Sequence, residues 1–141
     1  MKTFHLSILS PERPFYIGES TSITLPLQDG IFGIMANHAP LVSVVIPGEV
    51  AFVTPDGERH LCVVSDGMVD VGQNEVKLLC ESVLAPDEID EDAAERDARL
   101  AAEDMKGKQS YQDYRMSEMM FAKAVNNLRV KKHDAAIINQ R

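Results

Sequence analysis

The chain has 141 residues, of which 45% are apolar and 26% are charged, and it carries a formal net charge of -8 at pH 7. This length suits one domain of ordinary size or a smaller domain with an appendage, and the composition excludes general disorder. The acidic balance argues against a nucleic-acid partner, since neutralising phosphates requires clustered Lys and Arg side chains.

The N-terminal part of the chain is predicted to consist of short β-strands. Residues 3–9, TFHLSIL, alternate apolar and polar side chains, which is typical of a strand with one buried face. Pro11 and Pro14 are expected to end this strand. Further segments of this type follow, separated by turns rich in Gly, Asp and Pro: STSITLPL, GIFGIM, LVSVVI, GEVAFVT, RHLCVVS, GMVDV and EVKLLCESV. Many short strands without intervening helices favour an antiparallel sandwich or barrel.

The composition changes near residue 86, because all seven prolines and every glycine except Gly107 precede residue 87. We therefore predict a β-sandwich domain over residues 1–85 and a two-helix hairpin with a short tail over 86–141. Asp87 is the predicted N-cap of the first helix, and Gly107 is its predicted end. The second helix is predicted from about Ser110 to Lys132, after which the tail AAIINQR is expected to fray.

The two predicted helices differ in charge. Residues 87–104 hold nine acidic and two basic side chains, whereas residues 105–132 hold seven basic and two acidic ones. The helices should therefore attract each other, although exposed ion pairs contribute only about 0–1 kcal/mol each. The basic end of the second helix is either a solvated surface that complements the helix dipole or a docking site for an acidic partner. Its residues are Lys123, Arg129, Lys131 and Lys132.

The two cysteines, Cys62 and Cys80, lie 18 residues apart without a CxxC motif, so a zinc site is poorly supported. We interpret both as small buried apolar residues, in preference to a disulfide. The start MKTFHLSILS alternates rather than forming the apolar block of a signal peptide. No segment approaches the ~20 apolar residues of a membrane helix, so we expect a soluble protein without direct membrane insertion.

The segment GIMANHAPLV, residues 33–42, places His38 in a polar loop and raises the question of catalysis or metal binding. The chain has no GxSxG, HExxH or GxxxxGK[ST] motif, and its four histidines are dispersed. A hydrolase that uses His38 is therefore a weak hypothesis, and no metal is expected. Gly30 and Gly33 are expected to permit turns or close backbone approach, with Asn37 and His38 held outward.

Several motifs in order resemble those of the epsilon subunit of F-type ATP synthases, which is called delta in mitochondria. The opening FHLSILSPERPFY resembles the first strand and turn of that family. The segment DGIFGIMANHAPLVSVVIPGEV is similar to the family pattern D/E-G-x-x-G-[IV]-x-x-x-H-x-P-[LM]. It is matched by Asp29, Gly30, Gly33, Ile34, His38, Pro40 and Leu41. The segment VVSDGMVDVGQNEVKLLCESV is similar to a later strand of the family, S-x-G-x-[VL]-x-[VI], and its following turn, and AKAVNNLRV is similar to the second helix.

The resemblance implies a β-sandwich of about ten antiparallel strands followed by a C-terminal α-helical hairpin. It implies a non-catalytic rotor subunit of the central stalk, on the cytoplasmic face of the bacterial membrane. The expected partners are the gamma subunit, the c-ring and, through a hairpin that restrains ATP hydrolysis, the alpha/beta head. The expected contact residues are the basic ones above together with Asp29, Gly30, Gly33, Asn37, His38 and Pro40. For His38, a purely structural role in pinning the loop stays open, and a stand-alone ligand-binding or adaptor sandwich is the alternative function.

Some bacterial members of the family bind ATP through an I/L-D-x-x-R-A motif at the first helix. In the matching segment Asp90 is present, but Ala93 occupies the position of the arginine. Only Arg96 or Arg99 could supply the missing cation, from a neighbouring turn. No cofactor is therefore expected, and ATP is a doubtful regulatory ligand.

Overall fold

The structure, a computed structural model, describes residues 2–107 and 110–139. The chain forms two compact units, Met1–Leu84 and Ala85–Arg141. The boundary between them lies one residue before the boundary that composition suggested.

The first unit is a ten-stranded, mostly antiparallel β-structure, which confirms the predicted β-sandwich. Its hydrogen-bonded order is β10-β7-β6-β3-β5-β8-β9-β1-β2, with β4 paired to β3. The pairing of β1 with β9 is parallel. The strands are β1 Phe4–Leu9, β2 Pro14–Ser20, β3 Ser22–Leu27, β4 Gly30–Met35, β5 Leu41–Val45, β6 Gly48–Val53, β7 Arg59–Val64, β8 Gly67–Gly72, β9 Glu75–Cys80 and β10 Val83–Leu84.

The core of this unit is formed by alternate residues of the strands. Phe4, Leu6 and Ile8 of β1 are fully buried, as the period-two pattern predicted. Aliphatic side chains from the neighbouring strands complete the core. Each such side chain contributes roughly 1.5–3 kcal/mol on burial, so this cluster is the main favourable contribution to folding of the unit.

Two strand boundaries differ from the prediction. Pro14 begins β2 instead of ending β1, because β2 lies at the edge of the sheet, where the missing N–H of proline costs no ladder hydrogen bond. The segment EVKLLCESV forms two strands, since β9 ends at Cys80 and Val83 then pairs with Val64 of β7. The chain therefore crosses from one side of the sandwich to the other within residues 81–82.

The second unit contains a 3-10 turn over Pro86–Glu88 and two helices, α1 Glu91–Lys106 and α2 Tyr111–Asn139. The prediction of Asp87 as N-cap was wrong, because that residue lies inside the 3-10 turn. Asp90 is the N-cap, and its Oδ1 accepts a hydrogen bond from the backbone N–H of Ala93 at 3.0 Å. These helices confirm the predicted helical pair.

The ends of the helices agree only in part with the sequence. Gly107 is the C-cap of α1, as predicted, and its N–H bonds to the Asp104 carbonyl. The helix α2 continues to Asn139 and does not end at Lys132, so the AAIIN segment is helical; the last two residues of the predicted frayed tail lie outside the described residues. No described helix is both long enough and apolar enough to cross a membrane.

The cysteines are buried and free, as predicted. Burial raises the pKa of Cys62 far above its ordinary value, and burial with the nearby Asp66 carboxylate raises the pKa of Cys80 to about 12. Because the thiolate is the reactive form, both thiols are chemically inert at neutral pH.

Candidate partner-binding surface

A row of apolar side chains crosses the outer face of the β5-β8-β9 sheet. Val44 pairs with Met68, and Met68 pairs with Leu79, so the three side chains are direct neighbours on adjacent strands. Their exposed fractions are 60%, 52% and 51%. Leu79 is in turn paired with Leu9 of β1, which extends the row to a fourth strand. Contiguous apolar surface of this kind marks an interaction site in a soluble protein.

The row next to it is mixed. Val42 pairs with Asp70, and Asp70 pairs with Lys77, so an acidic and a basic side chain are neighbours across β8 and β9. Lys77 is paired with Ser7, which is paired with the exposed Ile17 of β2. The apolar row therefore has a polar border, as the centre of a protein interface does.

An open groove lies at the end of the apolar row. Its walls are mainly apolar, and its lining includes Leu9, Pro11, Gly67, Met68 and Leu79. The stand-alone ligand-binding alternative requires a closed pocket that retains a small molecule, and this groove is open to solvent. The groove instead continues the apolar surface of the row.

The motif residues between Asp29 and Pro40 do not form one cluster. Asp29 lies in the β3–β4 turn and Gly30 begins β4, whereas Asn37, His38 and Pro40 follow the other end of β4. A six-residue strand separates these two groups by roughly 20 Å. Any partner contacts of the two groups are thus made at opposite ends of the sandwich.

The two glycines of the motif, Gly30 and Gly33, differ in whether the backbone requires glycine. Gly30 has a φ of 129°, a conformation that side chains rarely adopt. Gly33 lies inside β4, and a Cβ atom there would only touch Thr24 Cγ2 at 3.9 Å. The expectation that Gly33 serves a turn or a close backbone approach was therefore wrong.

The loop after β4 is held by polar contacts. Asn37 has a φ of 63°, and its backbone N–H donates to Asn74 Oδ1 at 2.8 Å. His38 Nδ1 lies 2.7 Å from the Ala39 carbonyl oxygen, and its ring meets that of Phe32 edge to face at a centroid distance of 5.6 Å. Since a carbonyl only accepts, Nδ1 carries the proton in this contact. His38 is half-buried and Asn37 is exposed, so His38 both packs in the loop and keeps part of its ring outward.

Asn74 is the residue of this site that the sequence analysis missed. It lies in the β8–β9 turn, where Gln73 and Asn74 have φ values of 51° and 56°. Its Nδ2 donates to the Thr3 carbonyl at 2.9 Å, and its own carbonyl accepts from the His5 N–H at 3.1 Å. The available signal was the sequence Gly72-Gln73-Asn74, which is typical of a turn but does not show what the turn contacts.

The basic residues of α2 do not form one patch. Lys131 Nζ donates to the Pro86 carbonyl at 3.0 Å and so holds the 3-10 turn. Arg129 and Lys132 are exposed and lie one turn apart on the same side of the helix. Lys123 is also exposed, but at 3.6 residues per turn it lies on the side opposite Lys132. Only Arg129 and Lys132 are placed to meet a partner together.

The candidate ATP residues on α1 are also separated. The Asp90 carboxylate is engaged as the helix N-cap. Arg96 and Arg99 are exposed and lie at least a turn and a half further along the helix. Within residues 2–107 and 110–139, no group of three His, Cys, Asp or Glu side chains is arranged to hold a metal ion.

Comparison with known proteins gives the same assignment as the motifs. Residues 3–86 match the family described as ATP synthase, Delta/Epsilon chain, beta-sandwich domain. The ATP synthase epsilon chain of Clostridium novyi (strain NT) is 32% identical over 127 residues, which cover 90% of this chain and 96% of that protein.

Solved structures share the fold. A chain from the Euglena gracilis mitochondrial ATP synthase, in an assembly of OSCP, F1 and c-ring, superposes with a TM-score of 0.72 at 17% identity. That match covers 96% of this chain and 81% of the other. A chain from the central stalk and c-ring of the Tetrahymena thermophila mitochondrial ATP synthase gives a TM-score of 0.65 at 10% identity, covering 92% and 97%.

These matches show that the chain belongs to the delta/epsilon family of ATP synthase subunits. It is a non-catalytic subunit of that complex.

Proposed function

We propose that this chain is a rotor subunit of the central stalk that binds the gamma subunit through the apolar row Val44–Met68–Leu79. The exposure of this row, with its polar border of Asp70 and Lys77, is the observation that carries the proposal. Covering such a row stabilises a complex by about 25 cal/mol per Å² of apolar surface removed from water, before the costs of association.

The two groups of motif residues are proposed to contact different partners. The turn at Asp29 and Gly30 meets the c-ring, and the loop at Asn37, His38 and Pro40 meets the stalk from the opposite end of β4. The length of β4 supports separate contacts for the two groups, because one small contact surface cannot reach both of its ends. In such a complex the subunit is peripheral to the membrane, on the cytoplasmic face in a bacterium.

The helical pair is proposed to regulate hydrolysis, with Arg129 and Lys132 docking on acidic segments of the catalytic head. Such a switch requires two hairpin positions of similar free energy, since moving a 1:99 population to 99:1 takes about 5.5 kcal/mol of differential binding. The small buried side chains of α1, Ala94 and Ala101, bury little apolar volume and so suit reversible packing.

Co-expression with the cognate gamma subunit tests the proposed function. We expect the two chains to co-purify as a stable complex through affinity capture and size exclusion. Once the complex is assembled with the catalytic head, the double variant Arg129→Ala/Lys132→Ala should raise ATP hydrolysis relative to the unchanged chain. Failure of the unchanged chain to bind gamma would contradict the proposal.

We further propose that this chain does not use ATP as a regulatory ligand. The cation of the family motif is replaced by Ala93, and Asp90 is engaged with the Ala93 N–H. Titration calorimetry of the full chain with ATP should show no micromolar binding. Asp90→Ala should lower the free energy of unfolding by about 1 kcal/mol through loss of the cap, whether or not ATP is present. Micromolar binding that disappears in this variant would overturn the proposal.

A further inference from the structure

We propose that Asn74 is a positioning residue, which holds the loop of Asn37 and His38 in the orientation in which His38 meets its partner. This inference rests on the proposed function of that loop as a contact surface. Asn74 itself lies in a different turn, 37 residues away in the chain from Asn37. It acts through Asn37 and does not need to touch the partner.

Three polar groups of Asn74 are used at once. Oδ1 accepts the Asn37 N–H at 2.8 Å, Nδ2 donates to the Thr3 carbonyl at 2.9 Å, and the main-chain carbonyl accepts the His5 N–H. The side-chain amide therefore connects the loop after β4 to the beginning of β1. Two segments that are far apart in the chain are held by one exposed side chain at one end of the sandwich.

Asparagine is suited to this position for two separate reasons. The φ of 56° at residue 74 is one that Asn and Gly adopt more readily than other residues. The carboxamide also supplies an acceptor and a donor together. Aspartate would keep the acceptor for Asn37 but not the donor for Thr3, and glycine would keep only the backbone conformation.

His38 is held in the loop by its own contacts, and these decide which ring atom it presents. Asn37 turns the chain at a φ of 63°, and the next residue, His38, is held between the Ala39 carbonyl and the Phe32 ring. In the described part of the chain no hydrogen bond reaches Nε2 of His38. Nε2 is therefore the ring nitrogen that can meet a polar group of the partner. The Asn74–Asn37 hydrogen bond fixes the backbone from which Nε2 is presented.

The first test uses the free, full-length chain and measures amide hydrogen exchange at Asn37. Asn74→Gly should accelerate exchange at this amide roughly tenfold, because its acceptor is removed. Asn74→Asp should leave exchange at Asn37 slow. Gln73→Gly is the matched control, since residue 73 has a similar φ of 51° in the same turn and, within residues 2–107, makes no hydrogen bond to the loop. Unchanged exchange at Asn37 in Asn74→Gly would overturn the inference.

The second test is a double-mutant cycle on binding to the gamma subunit. Asn74→Gly should weaken binding about three- to tenfold, and should have no further effect in a His38→Ala background. Equal weakening in both backgrounds, or no effect of His38→Ala on binding, would overturn a positioning role. Lack of gamma binding by the unchanged chain would contradict the proposed function instead, and the exchange measurement would still decide whether Asn74 holds the loop. Thermal melting of each variant separates these effects from loss of folding.

Discussion

Replacing Gly67 with alanine is expected to lower the free energy of unfolding of the sandwich by about 3 kcal/mol. A Cβ atom at residue 67 would lie 2.2 Å from the Leu79 carbonyl oxygen, 2.7 Å from Cys80 Sγ and 2.9 Å from Cys80 Cα. Two of these three atoms belong to the backbone of β9, so relief of the clash requires β8 and β9 to separate locally. Urea denaturation followed by circular dichroism measures the effect.

Gly72→Ala, at the other end of β8, is the matched control. A Cβ atom there meets nothing within 4 Å, and the same substitution should change the free energy of unfolding by less than about 1 kcal/mol. Similar urea midpoints for the two variants would contradict the close approach of β9 to residue 67. A close approach between β8 and β9 thus explains why residue 67 is a glycine.

Replacing Met68 with glutamate is expected to weaken binding to the gamma subunit by at least about 30-fold. Met68 occupies the middle of the apolar row, between Val44 and Leu79, where a buried carboxylate would find no partner of opposite charge in that row. Because its side chain is half exposed in the free chain, the variant should fold normally. Surface plasmon resonance with immobilised gamma subunit measures the affinity.

Met68→Leu is the control for this prediction, since it keeps the apolar character and nearly the volume of the side chain. It should bind gamma within about threefold of the unchanged chain and melt at a similar temperature. Equal affinities for the glutamate and leucine variants would exclude the apolar row from the interface, even if the subunit still joined the complex.

The strands were predictable because one-sided burial leaves a period of two in the sequence. The two exceptions each have a local cause. Pro14 is tolerated because β2 is an edge strand. EVKLLCESV forms two strands because the chain changes its partner strand after Cys80. Similarly, the acidic residues from Asp87 onward are typical of a helix start. A 3-10 turn comes first, however, and Asp90 is the residue whose side chain caps the helix.

Residues of the site could be predicted where they belong to one sequence motif. Contacts that depend on the register between strands could not be predicted. The motif located Gly30 and His38, yet the contact from Asn74 arises only when the β8–β9 turn is placed beside the loop. The apolar row likewise depends on which residues become neighbours across strands. One signal was present: Leu78 and Leu79 are consecutive, so one of them had to face outward from β9.

The parallel pairing of β1 with β9 has a consequence for synthesis of the chain. His5 pairs with Glu75, and the remaining β1 pairs follow in register, so β1 lies between β2, which follows it directly in the chain, and β9, which is synthesised about 70 residues later. Long-range pairing of this kind slows folding and makes closure of the sandwich a late event. Until residue 80 has emerged, β1 and β2 form only a hairpin with an open edge, and this edge is the part of the hairpin that needs protection from aggregation.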